Sequence, residues 1–177
     1  MEVREVATAD LTAAELAALR SLLDEAFGGR FADEDMDHAL GGRHWLVAHE
    51  GRIVSHASVV PRDIEVAGRR IRTGYVEAVA TAPAAQRTGL GSRVMRAAGA
   101  HLCEAFGLGA LSTGSHGFYE RLGWERWRGP AFVRHPDGRL ERAEDDDDGI
   151  MVLRTPGTGP LDVHAPISCE WRPGDAW

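Results

Sequence analysis

Lysine is absent from this sequence; all 20 of its basic residues are arginine. That excludes any chemistry needing a lysine Schiff base or a lysine nucleophile. Cysteine is scarce, with only Cys103 and Cys169, and no Cys/His cluster has metal-ligand spacing. A zinc module and a secreted disulfide scaffold are therefore not expected, and a reducing compartment fits. No run of 18 apolar residues occurs, so no transmembrane helix is expected. The opening Met1-Glu2-Val3-Arg4-Glu5 carries two acids and leads into no apolar stretch. No secretory leader is expected from it, which makes the cytoplasm the expected location. An excess of positive charge is missing as well: 27 acids against 20 bases give −7, which argues against nucleic acid and anionic membrane as partners and points to a cationic ligand. With 177 residues, 44% apolar and 27% charged, the chain reads as one domain, 1–177. A domain of this size buries about 70% of its unfolded surface and needs neither disulfide nor metal to hold together.

The acids are unevenly placed. Asp33, Glu34, Asp35 and Asp37 form one patch and Glu144 to Asp148 an unbroken run. A short strand around Val3–Val6 opens the chain. Thr12-Ala13-Ala14-Glu15 then has the form of a capping box, followed by Leu16, Leu19, Leu23 and Phe27 at helical spacing up to Gly28-Gly29. Asp33 to Leu40 reads as a second, acidic helix. His44–Ala48 and Ile53–Pro61 read as strands joined through Glu50-Gly51, and the chain bends again at Gly68. Ile71–Ala82 is mostly apolar and β-branched, as a central strand should be. A helix follows Gly91, with Val94, Ala97, Ala98, Leu102, Cys103 and Phe106 expected on one buried face. Leu108–Ser112 reads as a strand and 117–122 as a brief helix closed by Gly123. Residues 134–149 read as a loop, Ile150–Leu153 as a strand, and the remainder as a Pro/Gly-rich tail.

Between the long strand and the long helix lies Gln86-Arg87-Thr88-Gly89-Leu90-Gly91. Strand, glycine loop and helix N-terminus together make a cradle for a pyrophosphate, because the glycines admit close approach of backbone N–H groups and the helix end adds partial positive charge. The same spacing also serves as a plain strand-to-helix turn. It has neither the Gly-Lys-Ser/Thr of a Walker loop nor the three glycines of a Rossmann turn. The loop resembles the Gln/Arg-x-x-Gly-x-Gly/Ala element of the GNAT N-acetyltransferases. The likeness narrows at Gly74-Tyr75-Val76-Glu77-x-Val79-Ala80, Gly109-Ala110-Leu111-Ser112, Tyr119 before Gly123-Trp124, Asp147-Asp148-Gly149 and the ending Trp171-Arg172-x-Gly174-Asp175-x-Trp177. These resemble the aminoglycoside 2′-N-acetyltransferases over essentially the whole chain.

The resemblance implies an α/β GNAT acyltransferase fold, with a mixed, mostly antiparallel central sheet flanked by helices and splayed where acetyl-CoA enters. It implies acetyl-CoA as cosubstrate, with no metal, and a cationic aminoglycoside as acceptor, acetylated at the 2′-amine by direct attack in a ternary complex. Acetyl-CoA would be held by Val79, Ala80 and Thr81 along the strand and by Gln86, Arg87, Thr88, Gly89, Leu90, Gly91 and Ser92 in the loop. The Val79 N–H would be the oxyanion donor and Tyr119 the acid for the departing thiolate. Glu77 would be either the base, acting through a water, or an anchor for the cation. On a regular strand Glu77 and Val79 face one side, which a bulge would alter. Asp35, Glu77, Ser112, Asp147, Asp175 and Trp177 would hold the aminoglycoside. One or two of the run 144–148 are expected to touch it. Arg30 departs from the family, which can carry an acid there. His56 reads as a core histidine. Homodimerisation occurs among relatives. The alternatives are a GNAT acting on another cationic amine, such as a polyamine or peptide, and a non-catalytic aminoglycoside-sequestering protein.

Overall fold

The first long helix starts where its orphan N–H groups find partners. The Glu15 N–H donates to the Thr12 hydroxyl at 3.2 Å and the Thr12 N–H to the Glu15 carboxylate at 2.9 Å, closing the expected capping box. In the computed structural model, which describes residues 1–177, the chain runs β1 (Arg4–Ala7), α1 (Ala13–Ala26), α2 (Asp33–Ala39), β2 (Arg43–His49), β3 (Arg52–Val66) and β4 (Arg69–Thr81). It continues with α3 (Leu90–Ala105), β5 (Leu108–Ser112), α4 (His116–Glu120), β6 (Glu125–Arg126), β7 (Ala131–Arg134), β8 (Leu140–Arg142), β9 (Ile150–Arg154) and β10 (Ile167–Glu170). The fold is mixed α/β, as expected. No helix is long and apolar enough to cross a membrane. The chain forms two compact units, Met1–Val60 with Val76–Ala100, and Pro61–Tyr75 with His101–Trp177.

In the first unit β1 pairs antiparallel with β2, and β2 antiparallel with β3, in the register Arg43↔Val59 and His44↔Ser58. The β2–β3 turn uses Glu50 (φ 50°) and Gly51 (φ 76°), the paired left-handed conformation of a tight hairpin. Leu19, Leu22 and Leu23 of α1 bury one helical stripe against Phe31, Ala80 and Ala82. Phe27 is exposed, its ring tilted against that of Phe31 with centroids 5.3 Å apart, and the helix stops at two left-handed glycines, Gly28 and Gly29. Gly42 admits no side chain, since a Cβ would lie 1.9 Å from the Val59 carbonyl oxygen.

Inside this unit the fully buried His44 and His56 are linked, His44 Nδ1 to His56 Nε2, at 3.0 Å. The far nitrogen of His56, Nδ1, lies 2.7 Å from the Ala78 carbonyl, and that of His44, Nε2, lies 2.7 Å from the Thr8 hydroxyl. A carbonyl only accepts, so His56 Nδ1 carries a proton, and the neutral ring then accepts at Nε2 from His44 Nδ1–H. The Thr8 oxygen accepts from the Gly41 and Gly42 N–H groups, at 3.0 and 3.2 Å, and its own proton has two acceptors in reach, the Gly42 carbonyl at 3.2 Å and His44 Nε2 at 2.7 Å. A neutral His44 that carries its proton on Nδ1 can only accept at Nε2, and takes the Thr8 proton at the shorter contact. All three bonds therefore point toward Ala78.

In the second unit the sheet order is β6-β9-β5-β4-β3-β10-β7-β8. Strand β9 is antiparallel to β5 and β6, β4 is parallel to β5, β10 is antiparallel to β3 and parallel to β7, and β7 is antiparallel to β8. Three elements depart from the expected pattern. The span 134–149 is not a simple loop but contains β8, and β7 precedes it. The tail contains β10, buried at Ile167, Ser168 and Cys169. Strands of three or four residues are too short to display a period, and β8, Leu140-Glu141-Arg142, is exposed along its length. Cys103 also departs from expectation: it lies on the exposed side of α3, whose buried stripe is Leu90, Val94, Met95, Ala98 and Leu102.

Burial lowers His44 to about 4; burial, with the neighbouring His44, lowers His56 to about 3. The unfolded chain titrates these rings near 6.5, so between that pH and the lowered values it binds more protons than the folded state. Their contribution to stability is complete above pH 6.5 and is lost as the pH falls. Urea denaturation at pH 7.5, 6.5, 5.5 and 5.0 is expected to show unfolding free energy dropping across that series, with a shallower drop in His56→Asn.

Candidate functional site

The second half of β4 departs from ordinary strand geometry. Its parallel pairing with β5 is confined to Thr73, Gly74 and Tyr75 against Leu108, Gly109 and Ala110, while β4 itself continues to Thr81. Ala78 then adopts φ +51°, a left-handed conformation that costs a residue with a Cβ about 1 kcal/mol. Glu77, Ala78 and Val79 are half-buried in succession, between buried Val76 and buried Ala80. The two-residue alternation that would put Glu77 and Val79 on one side is thus broken, as a bulge would break it.

Side chains of β3 hold this segment in place. Ser58 donates to the Glu77 carbonyl at 3.1 Å, His56 to the Ala78 carbonyl at 2.7 Å, and Ser55 to the Ala80 carbonyl at 3.2 Å. Every peptide bond is trans, so the N–H following each of these carbonyls points the opposite way. The Val79 N–H is therefore turned away from His56, and the Thr81 N–H away from Ser55. The Thr81 hydroxyl lies 2.9 Å from Ser55 Oγ, and the Thr81 carbonyl accepts from Gln86 Nε2 at 3.3 Å.

A single 3₁₀ turn, Pro83–Ala85, leads from β4 into the loop. Gln86, Arg87, Thr88 and Gly89 are all exposed, and buried Leu90 starts α3. Arg87 (φ 60°) and Gly89 (φ 87°) are both left-handed, and a Cβ on Gly89 would meet nothing within 4 Å. Thr88 donates to the Ala85 carbonyl at 2.6 Å, tightening the loop. Gly91 and Ser92 form the half-buried first turn of α3. An exposed glycine loop at the positive end of a 16-residue helix, with open space beside Gly89, fits a pyrophosphate. Asp35, on α2, has its carboxylate engaged by the Ala32 N–H at 2.8 Å. In the same acidic patch Asp33 is paired with Arg20 at 2.7 Å. Arg30 is exposed.

The second unit holds the remaining candidates. Tyr119 on α4 is buried against Phe118 and Trp124, both edge-on, at 4.9 and 6.1 Å. Burial pushes its phenol up to about 12, so it stays protonated at neutral pH and keeps a proton to donate. Ser112 is exposed at the end of β5, opposite Ile150. Asp147 is held by Arg142, which donates through both guanidinium NH2 groups, one at 2.8 Å, and by the Ala131 N–H at 2.9 Å. Its neighbour Asp146 lines a cavity of about 420 Å³ with Arg142, Glu144 and Asp145. Burial, together with the charges of Asp175, Asp145 and Asp147, pushes Asp146 up to about 6. Thus Asp146 and Asp175 are electrostatic neighbours, whereas Asp147 is turned onto an arginine. The family resemblance singles out Asp147, the neighbour that the structure places on Arg142.

The C-terminal segment is tied down by a buried arginine. Arg62 donates to the Ala176 carbonyl at 2.6 Å, to the Glu170 carbonyl at 2.8 Å and to the Glu170 carboxylate at 3.1 Å. Its guanidinium lies 4.9 Å from the centre of the Tyr75 ring. The Trp177 N–H reaches Asp175 at 3.3 Å, and the Trp177 indole is buried with its Nε1–H unpartnered. A buried donor of that kind costs about 1–3 kcal/mol unless something binds it. No group of three or more His, Cys, Asp or Glu is arranged to hold a metal ion.

Residues 8–127 match the family model of the acetyltransferase (GNAT) domain. The chain is 41% identical over 178 residues to an aminoglycoside 2′-N-acetyltransferase of Mycolicibacterium fortuitum, covering 98% of this chain and 91% of that protein. Among solved structures it is similar to the GNAT family N-acetyltransferase YhbS of Escherichia coli in complex with CoA (TM-score 0.67, 14% identity, 95% of this chain and 88% of that one). It is also similar to Eis1 of Mycobacterium abscessus (TM-score 0.62, 17% identity, 75% of this chain), of which it spans about a third, 33%. The structural likenesses establish the fold and the sequence likeness the family: the chain belongs to the aminoglycoside 2′-N-acetyltransferases of the GNAT superfamily.

Proposed function

We propose that the chain, acting as one domain over 1–177, transfers acetyl from acetyl-CoA to the 2′-amine of an aminoglycoside by direct attack. The observation that carries this reading is the near-full-length identity to a curated aminoglycoside 2′-N-acetyltransferase, on a chain whose bent strand and glycine loop suit a CoA thioester. In this reading the N–H groups of 86–92 hold the pyrophosphate and the strand from Val79 to Thr81 pairs with the pantetheine arm. The Val79 N–H hydrogen-bonds the thioester oxygen as negative charge grows there.

Acceptor nitrogen and acetyl carbon form the new bond as the carbon–sulfur bond breaks. Glu77 takes the proton of the attacking amine through a bridging water, and Tyr119 gives its proton to the departing thiolate. Neither cysteine takes part. Cys103 is exposed on α3, and burial pushes the Cys169 thiol up to about 11, which leaves almost no thiolate at neutral pH. Asp35 in the first unit, and Ser112, Asp175, Trp177 and the acidic turn at 144–147 in the second, are the candidate cation-binding residues. Asp146 is better disposed than Asp147 to meet an ammonium, because Asp147 already has Arg142.

Release of thiol from acetyl-CoA is expected with kanamycin B, which has a 2′-amine, and not with kanamycin A, which has a hydroxyl there. Equal turnover of both would mean a different amine is used, and binding without thiol release would mean a sequestering protein. Glu77→Gln is expected to lower kcat more than tenfold at pH 7 with little change in KM. That gap should narrow as rising pH deprotonates the acceptor amine without help; a KM effect alone would make Glu77 an anchor. Gly89→Val, at φ 87°, is expected to raise the KM for acetyl-CoA at least tenfold while kcat at saturation holds, as steady-state kinetics would show.

A further inference from the structure

We infer that His56 is a positioning residue of the transfer reaction, acting on the Ala78–Val79 peptide whose N–H faces the thioester oxygen. The inference rests on the reading of the Val79 N–H as oxyanion donor. His56 Nδ1–H donates to the Ala78 carbonyl at 2.7 Å, and that carbonyl belongs to the same peptide group as the Val79 N–H. Two consequences follow from the shared amide. A trans peptide fixed at its oxygen is fixed in direction at its hydrogen, so His56 aims the donor. A hydrogen bond accepted at the oxygen also draws electron density through the amide and makes its N–H the stronger donor, the cooperativity seen along hydrogen-bonded chains.

The surroundings favour a positioning role over mere satisfaction of a buried carbonyl. Ala78 sits at φ +51°, so the peptide is held away from the conformation the strand would otherwise give it. Burial keeps both imidazoles neutral, so no proton on His56 Nε2 competes with the His44 donor. The bonds Thr8→His44→His56→Ala78 run in one direction, each polarising the next, and both rings are fully buried. Ser58, one strand position from His56 on the same face, fixes the preceding carbonyl of Glu77 at 3.1 Å, so the base and the oxyanion donor are set by adjacent anchors.

Two substitutions separate the roles. His56→Leu removes the donor. His56→Asn keeps one, since the asparagine amide nitrogen occupies the branch position of Nδ1, but severs the link to His44. With acetyl-CoA and kanamycin B, His56→Leu is expected to lose about 10- to 100-fold in kcat, part of what removal of an oxyanion donor costs, with both KM values within about twofold. His56→Asn is expected to return to within about fivefold of the unsubstituted enzyme. Isotope-edited infrared difference spectra of bound acetyl-CoA, ¹³C-labelled at the acetyl carbonyl, give a readout independent of turnover. The thioester band is expected at lower frequency on the enzyme than in water, less displaced in His56→Leu, and displaced again in His56→Asn. A folded His56→Leu enzyme with unchanged band and kcat overturns the inference. If His56→Leu does not fold, a His56→Asn band at its position in water overturns it instead. A band undisplaced in the unsubstituted enzyme overturns the Val79 donor reading itself, whatever the variants do.

Discussion

The structure of the first unit turns on one peptide group, Ala78–Val79. An alanine at φ +51° within a strand is unfavourable by about 1 kcal/mol, and rotating its carbonyl out of regular geometry would leave a buried acceptor unsatisfied at a further cost of about 1–3 kcal/mol. The His56 donor removes the second cost, and the serines on either side secure the neighbouring carbonyls. What the chain obtains is a strand whose carbonyls face its own sheet neighbour while the following N–H groups face away. That is the polarity a thioester oxygen requires, and a regular ladder would alternate it. The core of Leu19, Leu22, Leu23 and Phe31 packs against Ala80 and Ala82, just past this point, and so clamps the strand where it is bent.

Local signals in the sequence were the ones that survived folding. The Thr12–Glu15 box, the Glu50-Gly51 hairpin, the glycine loop before α3 and the Gly123 stop each depend on residues within a few positions of one another, and each lies where its chemistry places it. The strands β7, β8 and β10 were illegible because three or four residues carry no period, and β10 gains its buried place only by lying between β3 and β7. Cys103 misled because cysteine reads as apolar and its position is one residue beyond the buried stripe of α3.

The histidine pair shows why a site can be half legible. His44 and His56 are separated by 12 positions, and nothing in that spacing announces contact. The β2–β3 register creates it. His44 lies opposite Ser58, and His56 two residues back on the same face is its diagonal neighbour, within reach of long side chains. The burial of His56 is legible from its place in an apolar strand, whereas its hydrogen bond to the Ala78 carbonyl, 22 positions away, is not.

Charge follows the same division between composition and address. The excess of acids, −7 overall, is a statement about the whole chain, but the arginines neutralise it selectively. Arg20 takes Asp33, Arg142 takes Asp147, and Arg62 is drawn inward to Glu170 and the Ala176 carbonyl. Arginine suits these tasks because its fork binds two acceptors in a fixed plane, and a chain without lysine has only this kind of cation to place. Asp146 is left with burial and three neighbouring carboxylates against it and no cation in compensation. Its raised pKa means that folding favours the protonated form, so from about pH 4 to 6 its contribution to stability declines as the proton leaves. Above pH 6 the turn carries an unrelieved negative charge beside Asp175. In the proposed function a ligand ammonium would supply there what the proton supplies in acid, and that relief, more than the number of carboxylates nearby, would give a polycationic sugar a reason to bind.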